Sequence, residues 1–170
     1  MADVMVPDHQ DSSLVLSRVP LLHGLRDKPE ALKALADIMK VKHVPTGYTL
    51  LTEGEKGDEF FVLIEGQVSI YKNTPEGDSY KVVILKADVT PSLGEAGLIE
   101  PEPRSATVKC DVECKFLVLN RHDFSQFGEK YPQWAVPILQ RLSLNLMATL
   151  RKTSHDLMLL HKALMNEIRS

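Results

Sequence analysis

The chain has 170 residues, 44% of them apolar and 25% charged, which gives one folded domain with room for an appended helix. A formal net charge of −3 supplies no basic face for nucleic acid, so direct DNA binding is not expected. The N-terminus has no charged head before an apolar run, and no apolar stretch reaches the ~18 residues of a membrane span, so a cytoplasmic protein without membrane contact is expected.

Residues 1–13 are polar and acidic and read as a flexible N-terminal arm. Leu14, Leu21, Leu22 and Leu25, interrupted by Pro20 and Gly24, give short helical pieces. Pro29 sits where a helix begins, and Leu32, Leu35, Ile38 and Met39 form its apolar stripe. His43-Val44-Pro45 is read as the end of that helix, with His43 on the surface.

From Thr46 to Leu119 the chain becomes short β-type runs separated by turn signals. Strands are expected at Tyr48–Leu51, Glu59–Glu65, Gln67–Lys72, Tyr80–Leu85, Thr107–Cys110 and Lys115–Leu119. Phe60 to Ile64 is too apolar to face water on both sides. Glu53–Asp58 and Thr74-Pro75-Glu76-Gly77-Asp78 are turns. Many short strands at this spacing fit a sandwich or a barrel. Cys110 and Cys114 are four apart without a C-x-x-C and read as reduced core thiols.

The stretch Leu93–Thr107, LGEAGLIEPEPRSAT, has the parts of a phosphate cradle. Gly94 admits a ligand close to the backbone, and Glu95–Ile99 can form one helical turn whose free N–H groups attract an anion. Arg104 carries a guanidinium fork suited to two phosphate oxygens, Ser105 adds a hydroxyl, and Ala106 keeps the wall low. Glu95 would repel a phosphate, so it makes sense against a sugar hydroxyl. A ligand with one phosphate charge and a ribose 2′-OH satisfies both groups.

No catalytic or metal chemistry is visible. The acids of Glu53–Glu59 and Glu100–Glu102 lack the spacing of a calcium loop, and the six histidines form no H-x-H or H-x-x-x-H pair. There is no G-x-S-x-G elbow or Walker loop, so an enzyme is not expected.

Asn120–Glu129 reads as a short helix with Asn120 as N-cap and Phe124 and Phe127 facing inward, ended by Tyr131-Pro132. From Gln133 to about Ile168 the pattern is helical, with Pro137 tolerated or kinking near its start. Leu139, Leu146, Leu150, Leu157, Leu160 and Leu164 fall at alternating three- and four-residue steps once Ser143 and Thr153 fill the gaps. That is a heptad seam, and a second copy of the chain in a parallel homodimer is its simplest cover. The domains are therefore drawn at 1–13, 14–131 and 132–170.

Gly94-Glu95, the apolar turn and Pro103-Arg104-Ser105-Ala106-Thr107 resemble the phosphate-binding cassette of cyclic-nucleotide-binding domains in the CRP/FNR (catabolite activator protein) family. Pro45-Thr46-Gly47, Glu53-Gly54, Gly57-Asp58 and Ile64-Glu65-Gly66-Gln67-Val68 are similar to the family's turns, where the glycines serve the fold and not the ligand. The resemblance implies a mainly β fold with flanking helices (α+β), a jelly-roll β-barrel with a long C-terminal dimerisation helix. It implies that Glu95 holds the ribose 2′-OH and Arg104 the cyclic phosphate, with Ser105 and backbone N–H groups near Gly94 and Ala96 completing the cradle. Arg141-Leu142-Ser143, Leu150 and Thr153-Ser154 are similar to the family's dimer helix, offset by about one turn. Carried over, Thr153 and Ser154 read the base, the serine reaching across from the other subunit, with Asn145 or Thr149 as the alternatives the offset leaves. One departure is the stretch Ala87-Asp88-Val89-Thr90-Pro91-Ser92, longer and stiffer than the Gly-Asp usual there.

Family transcription factors continue into a winged helix-turn-helix, whereas only sixteen residues follow Ser154. The expected function is a stand-alone receptor for a cyclic mononucleotide, cAMP before cGMP, that signals through the C-terminal helix to an unidentified protein effector. The alternative is a ligand-free dimerising interaction module of the same fold.

Overall fold

The computed structural model describes residues 9–74 and 76–169. Four helices, α1 (His9–Leu16), α2 (Pro29–Ala36), α3 (Arg121–Lys130) and α4 (Pro132–Arg169), bracket ten strands. The strands are β1 (Lys40–Val44), β2 (Thr49–Leu51), β3 (Lys56–Gly57), β4 (Glu59–Glu65), β5 (Gln67–Asn73), β6 (Ser79–Lys86), β7 (Ser92–Leu93), β8 (Glu102–Pro103), β9 (Thr107–Cys110) and β10 (Cys114–Asn120). They pair antiparallel in two four-stranded sheets, β1-β10-β4-β7 and β2-β9-β5-β6, with β3-β8 as a small ribbon. This is the jelly roll with flanking helices.

Phe60 to Ile64 shows why the strand pattern lacks alternation. Phe61 and Leu63 enter a core with Phe116, Val68 and Val108, between the two sheets. Phe60 and Val62 join Leu117 and Leu119 on the other face, under the N-terminal helices and the start of α4. A sheet buried on both faces needs a continuous apolar run. Cys110 and Cys114 are buried free thiols in the first of these cores. Burial, together with Cys114 and Asp111 beside it, pushes the Cys110 thiol up to about 12, which disfavours the thiolate.

Three expectations change. Residues 1–8 of the expected arm lie outside the described residues, and His9–Ser13 belong to α1. His43-Val44, read as part of a helix end, belongs to strand β1 (Lys40–Val44), because its backbone pairs along Cys114–Val118 of β10 while Val41 and Val44 turn inward. Helix α2 stops at Ala36, leaving Met39 buried just before the strand. Elsewhere, Asn120 caps α3 by accepting the Asp123 N–H at 2.8 Å. The β5–β6 loop closes from the Thr74 N–H to the Asp78 carbonyl at 2.7 Å, with Pro75 outside the described residues.

Helix α4 runs unbroken through Pro137. Pro137 packs on Gly24, where a Cβ would sit 2.8 Å from the proline ring. Ala135, Ile138 and Leu142 are buried against the body. Beyond Leu142 no described residue of α4 is buried.

Candidate functional site

Strand β8 delivers Arg104. The ribbon pairs Lys56 with Pro103 and Gly57 with Glu102, and the backbone of Arg104 is fixed by bonds to the Glu55 carbonyl and from the Gly54 N–H, each 2.9 Å. Its side chain turns inward. One Nη donates to the Glu59 carbonyl at 2.8 Å and the other to the Gly94 carbonyl at 3.3 Å. Nε is buried without a partner. Burial pulls this guanidinium below its ordinary value, against the opposing charges of Glu59 and Asp58.

Glycines form the walls of this nest. A Cβ at Gly57 would lie 2.5 Å from Nε and from Nη2 of Arg104, and one at Gly94 would lie 2.5 Å from Nη1. Gly97 is next, with its Cβ position 3.2 Å from Nη1. Gly94 also needs its freedom, since φ is +75° where it opens the single 3-10 turn Glu95–Leu98. Gly57 has no such requirement, so the structural turn role assigned to it from sequence is incomplete: it makes room for the guanidinium.

Above the nest lies a cavity of about 540 Å³. Gly94, Glu95, Ala96, Arg104 and Ser105 line its polar end, and Leu51, Ile70, Leu93 and Val108 supply apolar walls. Glu95 accepts a 2.7 Å hydrogen bond from Ser92 Oγ, a partner no sequence signal marked. Helix α4 closes the far side with Leu142, Asn145, Leu146 and Thr149. Small-molecule sites have this character, concave and largely apolar with a few convergent polar groups.

Five of the seven residues singled out in the sequence therefore surround one space. Thr153 and Ser154 do not: they lie further along α4, exposed, outside the cavity lining. The polar residues α4 does bring to the cavity are the alternatives, Asn145 and Thr149. Asn145 is half-buried, and its carbonyl accepts the Thr149 hydroxyl at 3.0 Å.

The family model for the cyclic nucleotide-binding domain matches residues 41–131, more than half of the chain. The chain belongs to the cyclic nucleotide-binding domain family. It is 26% identical over 143 residues to the CRP-like cAMP-activated global transcriptional regulator of Mycobacterium tuberculosis, covering 84% of this chain and 60% of that protein. It is 34% identical over 113 residues to the cAMP-dependent protein kinase regulatory subunit of Aspergillus niger, covering 65% of this chain and 25% of the subunit. The chain thus spans less than two thirds of the length of either relative. Among solved structures, the N-terminal domain of a transcriptional regulator from Streptomyces coelicolor A3(2) superposes with a TM-score of 0.72 at 29% identity, covering 82% of this chain and 94% of that one. This is a family of regulatory ligand-binding domains. No helix among the described residues is long and apolar enough to cross a membrane.

Proposed function

We propose that this cyclic nucleotide-binding domain binds cAMP in the cavity between Arg104 and α4, and that α4 passes the binding event to a second copy of the chain and to a protein effector. The observation that carries the reading is the state of Arg104. A half-buried guanidinium, held by two carbonyls with its Nε buried and unpartnered, is a cation suited to an anion. The cyclic phosphate is that anion. Glu95, on the same cavity, takes the ribose 2′-OH, while Ser105 and the first N–H groups of the turn at Ala96 complete the cradle.

The purine then lies between the apolar walls and meets α4. Thr149 has committed its proton to the Asn145 carbonyl, so its oxygen offers lone pairs to an exocyclic amine, which suits adenine. The Asn145 side chain, carrying both a donor and an acceptor, meets the adjacent ring nitrogen. This moves base reading within one chain from Thr153 and Ser154 to Asn145 and Thr149. Thr153 and Ser154 contribute only if a second copy brings them over the cavity mouth. A ligand touching both the cassette turn and α4 favours whichever helix position it contacts best, and that differential affinity is the signal.

Isothermal titration tests the reading. Saturable binding of cAMP, weaker binding of cGMP and loss of both in Arg104→Ala are expected, with thermal melting confirming that the variant folds. Absence of saturable binding by any cyclic mononucleotide rejects it.

A further inference from the structure

Glu95 does not choose its own orientation. The stretch that leads to it departs from the usual family pattern, and each of its parts is fixed. Ala87–Val89 forms a 3-10 turn ending at Thr90, whose N–H donates to the Ala87 carbonyl at 3.0 Å. Thr90 is buried at 4% exposure with φ +48°, and it is the one non-glycine residue with positive φ among the described residues. A β-branched residue in the left-handed region is disfavoured and persists only where its surroundings over-determine it. The backbone leaves that turn directly into β7. The Pro91 carbonyl accepts the Leu63 N–H at 3.0 Å, and Ser92 pairs with Val62 of β4. Ser92 is therefore half-buried on β7 beside the buried strand β4, and its hydroxyl reaches Glu95 Oε1 at 2.7 Å at the cavity edge.

We propose that Ser92 is a positioning residue: it holds the Glu95 carboxylate toward the ribose 2′-hydroxyl and so sets the preference for ribo- over 2′-deoxyribo-cyclic nucleotides. This rests on the reading of the cavity as a cyclic-nucleotide site. An ionised carboxylate has about four acceptor positions, and Ser92 occupies one of them on Oε1. Oε2 and the remaining position stay open to the ligand. What Ser92 removes is rotational freedom. A flexible glutamate must be ordered when ligand arrives, whereas one already tethered has that entropy cost met by the fold. The stiff Thr90–Ser92 segment, on this account, supplies a rigid base for the tether.

The test is the affinity of the full chain for cAMP and for 2′-deoxy-cAMP, by isothermal titration, in wild type, Ser92→Ala, Ser92→Thr and Ser92→Cys. Wild type is expected to prefer cAMP by about tenfold or more, as sites built around a ligand hydroxyl do. Ser92→Ala should lose about five- to tenfold for cAMP, the cost of an unordered side chain, and nothing for 2′-deoxy-cAMP. Ser92→Thr keeps the hydroxyl and should restore the ratio, and Ser92→Cys, nearly isosteric but a poor donor, should repeat the alanine result. Equal weakening of both ligands by Ser92→Ala, or no weakening of either, overturns the proposal and leaves Ser92 a structural residue. Equal affinity of wild type for the two ligands overturns it too, because Glu95 then does not read the hydroxyl, while the reading of Arg104 stands. If no cyclic mononucleotide binds wild type, both this proposal and the function beneath it fall.

Discussion

The cassette and the far half of α4 are opposite solutions to the same problem of desolvated surface. Around Arg104 one chain supplies nearly everything: two carbonyls, three close glycines and a carboxylate with its own tether. Beyond Leu142, α4 leaves most of its apolar side chains exposed. Leu150, Leu157, Leu160 and Ile168 are each about two thirds exposed, with no second surface among the described residues to meet them. An isolated helix gains little from propensity alone and depends on a buried face. The cassette can therefore be judged from one molecule, whereas the exposed stretch of the helix is what the proposed function offers to a second copy.

The largest effect should come from breaking the helix half. Leu150→Glu with Leu157→Glu puts charge at two seam positions of α4, and burying an unpaired carboxylate costs enough to weaken association by ~100-fold or more. Sedimentation equilibrium should show a wild-type dimer and a monomeric variant. Because the cavity lining on α4 ends at Thr149, cAMP affinity should change little unless the second copy contributes to the site. A wild-type monomer at high concentration would show that something other than a second copy covers the seam.

A smaller effect should separate the two kinds of glycine in the cassette half. Gly57→Ala drives a methyl to 2.5 Å from Nε and Nη2 of Arg104, so the guanidinium must shift. A misplaced charged fork loses geometry-dependent hydrogen bonds, and cAMP affinity should fall by about tenfold or more. Gly54→Ala is the contrast. It has φ +84° with open space around its Cβ position, so it should cost about 1 kcal/mol of stability and leave affinity unchanged. Titration beside thermal melting on both variants checks the pair. Equal affinity losses would mean that Gly57 acts through the turn and not through Arg104.

That contrast also marks how far the sequence could be read. Turn glycines and apolar runs are local signals, so Glu59–Glu65, Thr107–Cys110 and the Asn120 cap stand where their residues suggest. Glu95 and Arg104 could be singled out because a carboxylate and a guanidinium this close in sequence need a reason. Strand β1 could not be read locally, because KVKHV becomes a strand through its pairing with β10. Gly57 and Ser92 look like ordinary turn and strand-end residues, and they matter only through partners 47 and 3 positions away. Thr153 and Ser154 stood out as hydroxyls interrupting a leucine seam, yet register along a helix is fixed by where it docks. Within one chain, Pro137 against Gly24 and the burial of Leu142 bring Asn145 and Thr149 to the cavity, while a reach by Thr153 or Ser154 would depend on a second copy.

The smallest effect tests whether a polar cluster away from the cavity serves only the fold. At the opposite end of β5, Asp111 Oδ2 accepts hydrogen bonds from Gln67 Nε2 at 2.9 Å and from the fully buried Ser69 Oγ at 2.7 Å. Burial alone would raise this carboxyl, but the bonds from Gln67 and Ser69 and the charge of Lys81 outweigh it and hold it below its usual range. A carboxyl lowered on folding adds stability above its unfolded value, and that stability is lost as pH falls through the folded one. Wild type should thus lose part of its stability on acidification below about pH 4, and Asp111→Ala should lack that component. At neutral pH the variant strands the Ser69 hydroxyl, at a cost of about 1–3 kcal/mol in denaturant unfolding. None of these residues lines the cavity, so cAMP affinity at neutral pH should be that of wild type. A weakened affinity would mean that the β5 end of the sheet is coupled to the cassette, and the division between a self-sufficient pocket and its scaffold would have to be redrawn.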